Sequence, residues 1–461
     1  MRLALQVLKR GIMKKIEQYR TTVRVSAISI FCAISTAIYF LVWDIAYNPD
    51  FEHPYIGKGK LFIIGVYISV LLVTSLILGA HRVDELRRGE IIFYELIALV
   101  FANAIAYAQI CLIEAVIANV SGMLFAMLIQ ILVLIVWTYS AVAIVRYMSP
   151  PEKMIIIYGS HLATEIVYKM SQMEDRYVIS ESANVDEGFD KLSQKIERFD
   201  NVIICDVPAR LRNDLLKFCY QQKKSVYLIP KISDIIVRSA SDITYFDSPI
   251  MKCSSTGLTV EQRALKRVLD VVLCTIALIV SSPVFLVVAI AIKAYDGGPV
   301  FYKQRRCTMD LKPFDILKFR SMVVDAEKDG PQPAVDNDKR ITPIGKVIRG
   351  LRIDELPQII NIIKGDMSIV GPRPERIEHV EQYSEEIPEF VCRYKVKGGL
   401  TGYAQVFGKY NTSAYNKLKM DLMYIQNYSL ALDFKLILMT VKILFKKEST
   451  EGFKVKGKKD N

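Results

Sequence analysis

Histidine is scarce in this chain: four residues among 461, none near another. A metal centre built on imidazole is therefore not expected. The eight cysteines (32, 111, 205, 219, 253, 274, 307 and 392) never form a C-x-x-C pair, and three lie in long apolar segments. That spacing excludes the usual zinc site and fits reduced thiols better than a disulfide framework. The dinucleotide fingerprint G-x-G-x-x-G is also missing. The one strand-to-turn junction that invites it reads "GSHLAT" from Gly159, with a single glycine, and without the second glycine the backbone cannot closely approach a pyrophosphate. A cleavable signal is absent too: the first apolar run is too long and lacks a small-residue cleavage pattern, so it reads as an uncleaved span.

Apolar sequence is what the chain has in quantity. Hydrophobic residues make up 52% and mean hydropathy is +0.25, yet 23% of residues are charged. Membrane spans joined to a water-exposed part are the combination that satisfies both. A net charge of +12 then points to an anionic membrane surface or a phosphorylated substrate and away from nucleic acid. Four long apolar runs, roughly 22–48, 61–80, 91–117 and 122–147, are each long enough to cross a bilayer. Arg2, Lys9, Arg10, Lys14, Lys15 and Arg20 precede the first, and Arg82, Arg87 and Arg88 fill the second loop. By the positive-inside rule both ends of this bundle, residues 1–150, face the cytoplasm.

From about 151 to 250 the pattern changes. "MIIIYGS", "RYVIS", "NVIICDV" and "SVYLIP" are short β-rich runs alternating with helical stretches, which predicts a small Rossmann-like α/β domain of structural or dimerising role. A further apolar run, Val268 to Ile292, is long enough to span, but both flanks are basic and Pro283 interrupts it within "SSP". Proline removes a backbone hydrogen bond, and Ser281 and Ser282 can satisfy the groups set free. A kinked helix that enters and leaves on one face accounts for these flanks, so 264–295 is expected to be re-entrant, within a domain of 260–461.

Downstream, "PVFYKQRRC" and "KPFDILKFRSM" read as two strands carrying Lys303, Arg305, Lys318 and Arg320. Thr342 then N-caps a helix with Pro343 at its first position. Ile344, Val347, Ile348 and Leu351 repeat at helical spacing as its buried stripe, leaving Lys346 and Arg349 off it. Next comes "LRIDELPQIINIIKGDMSIVGPRPE". Asp354 is expected as the N-cap of a helix ending at Gly365. Arg349, Arg352, Arg373 and Arg376 surround the pair Asp354–Glu355. A helix start and guanidinium groups favour an ionised carboxylate and equally favour phosphate. Glu355 can offer a hard oxygen to Mg²⁺. Pro372 and Pro374 restrict the backbone around Arg373, which suits bidentate phosphate contact.

These motifs, with "KRVLD", "GLTGYAQV" and more loosely "DLMYIQNYSLALDFKLIL", resemble the bacterial sugar transferase family, the monotopic phosphoglycosyl transferases, over about 264–450. The four spans and the α/β domain make the chain similar to the large form, which initiates capsule or exopolysaccharide units. The resemblance implies a mainly α catalytic domain with a re-entrant membrane helix, working at the cytoplasmic face of the bacterial inner membrane. It implies that Asp354 attacks a UDP-sugar (UDP-glucose or UDP-galactose) and expels UMP, and that undecaprenyl phosphate then takes the hexose-1-phosphate. By the same resemblance Glu355 holds Mg²⁺, Arg373 between Pro372 and Pro374 binds nucleotide and phosphate, Arg349 lies near the membrane face, and Ser282 and Pro283 form the helix break. Arg305, Arg320 and Lys409 are the remaining substrate-binding candidates, and a homodimer is expected. Where the family often has K-P-G before "LTG" this chain has Lys397-Gly398-Gly399, and Lys409 stands where an arginine often follows.

Two other readings compete. A non-catalytic membrane regulator binding nucleotides or phospholipids needs no role for Asp354 beyond capping. A transporter needs ionisable residues within its spans, where Asp44 and Glu114 are the main ones read here.

Overall fold

A computed structural model describes residues 20–51, 53–148, 151–159, 162–171, 173, 176–245, 247–253, 257–326, 338–408 and 412–444. The chain divides into two compact units, 1–230 and 231–461. The first unit opens with α1 (Arg20–Ala46), α2 (Lys58–Leu78), α3 (Arg88–Glu114) and α4 (Ser121–Met148). Each is long and apolar enough to cross a membrane. Their interior is not purely apolar. The Asn103 amide donates to Gln130 Oε1 (2.8 Å), and Gln130 Nε2 donates to Tyr67 Oη (2.9 Å) and to the Ser35 carbonyl (3.0 Å). Asp44 is ion-paired with Lys60 (2.6 Å) at one end of the bundle. Glu95, overlooked among the ionisable residues of the spans, is fully buried and accepts from the Ser75 hydroxyl (2.7 Å).

The same unit continues into a parallel sheet of order β2-β1-β3-β4: β1 (Glu152–Tyr158), β2 (Tyr177–Asn184), β3 (Asn201–Cys205) and β4 (Ser225–Leu228). Helices α5 (Leu162–Ser171), α6 (Phe189–Ile196) and α7 (Ala209–Gln221) connect them. Alternation along β1 and β3 divides the core. Ile155, Ile157, Val202 and Ile204 meet Leu192, Ile196 and Leu215, whereas Met154, Ile156 and Ile203 meet Ile166, Val167 and Met170 on the opposite face. Both faces are covered, which is why these strands read as unbroken apolar runs. At the reversal of strand order the loops after β1 and β3 touch. Gly159 donates to the Cys205 carbonyl (3.2 Å), and a Cβ on Gly159 would lie 2.4 Å from the Asp206 carbonyl.

The second unit begins with α8 (Ile232–Arg238), whose Ile232 and Ile235 join a core built with Leu418, Leu422, Tyr424 and Phe390. The hairpin β5 (Ser241–Tyr245) and β6 (Ser248–Lys252) follows, then α9 (Val260–Asp296), a 37-residue helix that stays helical through Pro283. At 1.5 Å per residue it is about 55 Å long. Ser282 Oγ donates to the Ile279 carbonyl (2.8 Å), the acceptor that Pro283 leaves without an amide, and Ser281 Oγ donates to Ala277 (2.6 Å).

Next along the chain come β7 (Phe301–Cys307), β8 (Pro313–Phe319), α10 (Pro343–Gly350), α11 (Gln358–Lys364) and β9 (Ser368–Val370). The two halves of α9 both pack on β8 and otherwise on different elements of this unit. Before Pro283, Arg267 donates to the carbonyls of Ile362 (2.5 Å) and Ile363 (2.6 Å), Asp270 accepts from Ile369 N (3.1 Å), and Cys274 packs on Ile316 and Ile362. After it, Val288 and Ile292 pack on Phe319 and Ile348, and Asp296 is ion-paired with Arg320. The unit closes with α12 (Ile377–Glu386), a 3-10 turn at Pro388–Lys395, β10 (Gly399–Thr401), α13 (Tyr403–Phe407), α14 (Ala414–Gln426) and α15 (Leu430–Leu444). Lys266 on α9 is ion-paired with Asp433 on α15.

One buried side chain locks α11 to the edge of β8. Asn361, 1% exposed, accepts from Leu317 N (2.9 Å) and donates to the Asp315 carbonyl (2.9 Å). Asn361→Ala leaves both groups unpaired, at about 1–3 kcal/mol each. Denaturant unfolding in detergent is expected to register a loss of about 2 kcal/mol or more; an unchanged midpoint would remove Asn361 from this role.

Candidate active site

The acidic pair lies between α10 and α11. Thr342 N-caps α10, its hydroxyl accepting from Gly345 N (2.9 Å). Only half of the anticipated stripe is covered: Ile348 is buried, whereas Val347 and Leu351 are 60% and 63% exposed. Arg352 then turns the chain at φ 55°, a left-handed conformation uncommon outside glycine. The turn sets residues 353–355 into a single 3-10 turn, with Leu356 N donating to the Ile353 carbonyl (3.1 Å). Asp354 is therefore inside that turn and is not the N-cap of the next helix. Pro357 precedes α11, which starts without a side-chain cap and ends as expected at Gly365, φ 99°. The physical reason is that Arg352 reverses the chain two residues before Asp354, leaving room for a separate turn. The Asp354 carboxylate is thus not spent on capping.

Around this turn the charges alternate. Glu355 Oε1 lies 3.1 Å from Arg373 Nη2 and 3.4 Å from Lys318 Nζ, and Oε2 lies 3.9 Å from Arg352 Nη1. Burial opposes ionisation of Glu355, but Lys318, Arg373 and Arg352 overcome it and hold the carboxyl at about 2. Burial raises Asp354, and the neighbouring Glu355 charge raises it further, while Lys318 and Arg349 act against both. Burial also lowers Lys318, with Glu355 pulling it back. Two adjacent carboxyls are thus held apart in character, one firmly ionised and one more basic than usual, as neighbours with unlike surroundings are.

Two segments deliver the cations. In the β7–β8 hairpin, Tyr302 pairs with Lys318 and Gln304 with Ile316. Side chains alternate across a strand, so Lys318, Tyr302, Gln304 and Arg306 share a face. Arg306 donates to Gln304 Oε1 (2.6 and 3.0 Å) and to the Pro374 carbonyl (2.9 Å). The second segment, 372–375, has all four carbonyls taken. Pro372 accepts from Gly399 N (2.8 Å), Arg373 from Arg393 Nη2 (3.0 Å), Pro374 from Arg306 and Glu375 from Cys307 N (3.1 Å). Gly398 has a use here that proline could not fill: its N–H donates to Thr308 Oγ1 (3.2 Å).

Of the expected site residues, Asp354, Glu355, Arg349 and Arg373 come together, with Pro372 and Pro374 fixing Arg373. Arg305 does not. It lies on the opposite face of β7, 73% exposed, 3.6 Å from Asp315. Arg320 is bound to Asp296 and to the Pro299 carbonyl (2.7 Å), tying down the end of α9. Lys409 lies outside the described residues. Ser282 and Pro283 are on α9, apart from the acidic pair in sequence and contact. The residues under-read were Lys318, Arg306 and Arg352, and strand parity within the hairpin is the signal that separates Arg306 from Arg305.

A family profile described as "Bacterial sugar transferase" matches residues 261–447. A UDP-glucose:undecaprenyl-phosphate glucose-1-phosphate transferase of Caulobacter vibrioides is 42% identical over 183 residues, 38% of this chain and 68% of that protein. This chain belongs to the bacterial sugar transferase family. The enzyme of the same name from Escherichia coli K12 is 39% identical over 222 residues, 47% of this chain and 48% of that protein. The UDP-N-acetylgalactosamine-undecaprenyl-phosphate N-acetylgalactosaminephosphotransferase of Aeromonas hydrophila is 43% identical over 183 residues, 39% and 43% of the two chains. The matches span about half the length of these last two relatives.

The donors of this sugar transferase site suit Mg²⁺ in kind. Asp354 and Glu355 are hard oxygens, and among the described residues no group of three or more His, Cys, Asp or Glu forms a closed metal cage. A magnesium ion held here by these carboxylates would need water and substrate phosphate for most of its shell, which is how that ion is usually held.

Glu355→Gln strands the buried Lys318 and is expected to cost about 3 kcal/mol, whereas Arg305→Ala on the outer face changes stability by at most about 0.5 kcal/mol. Since Glu355 falls from 4.5 to about 2 on folding, its contribution is full above pH 4.5 and is lost as pH falls toward 2. Denaturant unfolding of the two variants at neutral pH checks this; equal midpoints would contradict it.

Proposed function

We propose that the protein transfers hexose-1-phosphate from a UDP-sugar, UDP-glucose or UDP-galactose, to undecaprenyl phosphate and releases UMP, as the first membrane step of exopolysaccharide or capsule synthesis. The observation that carries this is the acidic pair itself: one carboxylate free of capping duty beside another surrounded by three cations. An Asp354 oxygen attacks the phosphorus that bears the sugar, forming an O–P bond as the bond to UMP breaks. A phosphate oxygen of undecaprenyl phosphate then attacks the same phosphorus, and Asp354 leaves as carboxylate. One pocket so serves a soluble and a lipid substrate in turn.

Asp354 being more basic than usual makes it a stronger nucleophile once ionised. Lys318, Arg373 and Arg349 supply positive charge for the phosphate oxygens as charge shifts toward UMP. Glu355, kept ionised, would hold Mg²⁺ with Asp354 beside it, and the ion supplies further charge neutralisation on phosphate. The activities for which these relatives are named, each with a UDP-sugar and undecaprenyl phosphate, support the substrate pair.

The proposed organisation is a four-helix membrane domain (1–150), a Rossmann-like domain (151–250) that serves a homodimer, and the catalytic domain (260–461) at the cytoplasmic face of the inner membrane. The re-entrant reading of α9 is supported by its two ends both making polar contacts within the second unit, Arg267 to α11 and Asp296 to Arg320. A crossing would place those two ends on opposite sides of the bilayer. Fourteen large hydrophobic side chains of α9, Ile279, Val280 and Val287 among them, are exposed, as suits contact with lipid.

Two outcomes are expected. Labelled UMP exchanges into UDP-glucose or UDP-galactose without lipid acceptor, and Asp354→Asn abolishes the exchange; exchange that requires undecaprenyl phosphate would rule out the two-step path. The acid limb of the exchange rate lies above the ordinary aspartate range and moves higher in Arg349→Ala, because Arg349 lowers the Asp354 value. A limb that moves down would contradict that assignment.

A further inference from the structure

Behind the Arg373 loop lies a second charged cluster that the transfer chemistry does not use. Arg393, in the 3-10 turn at Pro388–Lys395, is 2% exposed, and Asp421 on α14 is 1% exposed. Arg393 Nη2 lies 2.8 Å from Asp421 Oδ2, and its Nη1 lies 3.6 Å from Glu375 Oε1. The guanidinium sits over the rings of Phe390 (4.9 Å to the centroid) and Tyr394 (5.8 Å). Two buried charges of opposite sign are a costly way to fill a core, since an apolar pair of the same volume is often as stable or more so. What this pair delivers is a hydrogen bond outward: Arg393 Nη2 donates to the carbonyl of Arg373 (3.0 Å).

That carbonyl is the decisive one of its segment. The neighbouring prolines have no N–H, so the backbone at 372–374 can be oriented mainly through its carbonyls. The amides of Gly399 and Cys307 hold the outer two, and Arg306 holds Pro374. At Arg373 the donor is Arg393, itself ion-paired with Asp421. From the same residue the side chain reaches Glu355 Oε1 (3.1 Å). Contacts therefore run unbroken from Asp421 through Arg393 and the Arg373 backbone to the acidic pair.

We infer that Arg393, oriented by Asp421, is a positioning residue that sets where the Arg373 guanidinium meets substrate phosphate. The inference rests on the proposed transferase reading and adds to it a residue that touches no reacting atom. A fixed fork geometry is what Arg393 contributes; lysine keeps the charge but not the fork.

The test is a double-mutant cycle on UMP release from the UDP-sugar, using Arg393→Lys, Arg373→Ala and the pair. Arg393→Lys alone is expected to lower kcat/KM by about a hundredfold, the scale of a misplaced binding group. In the Arg373→Ala background it should lower it little further, because both changes remove the same contact. Asp421→Asn, close in shape, should act in the same direction and show the same dependence on Arg373, which covers the case that Arg393→Lys folds poorly. Equal losses in both backgrounds would mean a purely structural role and overturn the inference. A second arm needs no turnover: labelling of Arg373 by phenylglyoxal, followed by peptide mass, should change severalfold in Arg393→Lys while exposed Arg305 labels as before. An unchanged Arg373 rate overturns the inference too. Wild-type protein that releases no UMP from any UDP-sugar would instead sink the transferase reading, with the labelling arm still deciding the positioning role.

Discussion

Burying an ionised carboxylate is costly unless cations accompany it, and Glu355 is the carboxylate around which the second unit is arranged. Its partners come from three different stretches of chain: Lys318 from β8, Arg352 from the left-handed turn and Arg373 from the proline-flanked loop. Each must arrive with its backbone already fixed, because a flexible partner would give up much of the attraction as conformational entropy. The remaining architecture reads as the means to that end. Asn361 locks β8 to α11, the four carbonyls of 372–375 are each held by a donor, and Arg267 binds the last carbonyls of α11. Burying Glu355 in this way leaves Asp354 beside a permanent negative charge, and that neighbour raises its basicity.

Helix α9 carries the second constraint. A proline inside an apolar helix must not leave a bare carbonyl in hydrocarbon, and the Ser282 hydroxyl meets the Ile279 acceptor directly. Its polar residues Lys266, Arg267, Asp270 and Asp296 all face partners in the second unit, while its apolar residues are largely exposed. One helix thus leaves an apolar surface exposed over most of its length and serves as scaffold on one stripe. This is why a single segment reads at once as a span and as a structural part of a charged site.

Much of this was legible in the sequence. The four apolar helices, the parallel strands and the β7–β8 hairpin follow from hydrophobic period and turn residues, and the Thr342 cap follows from the Thr-Pro step. What escaped depends on geometry that composition does not encode. Asp354 read as an N-cap because acidic residues before an apolar run usually are caps; the left-handed turn at Arg352 that cancels this leaves no mark in a residue not given to positive φ. Arg305 and Arg306 are neighbours of equal charge, and only the register of the hairpin decides which shares the face of Lys318. Arg320 reads as a substrate-binding candidate, yet two residues beyond Lys318 the strand has ended and its partner is Asp296. Glu95 meets Ser75 from another helix, a contact that composition does not encode.

The central claim is that Asp354 is a nucleophile that carries the sugar phosphate between two substrates. Intact-mass spectrometry of the detergent-purified protein, incubated with Mg²⁺ and UDP-glucose or UDP-galactose and no lipid acceptor, tests it most directly. The account predicts a single hexose-phosphate adduct on the wild type, absent from Asp354→Asn and lost when undecaprenyl phosphate is added. An adduct that persists in Asp354→Asn, or full turnover with no adduct at any time, would contradict it.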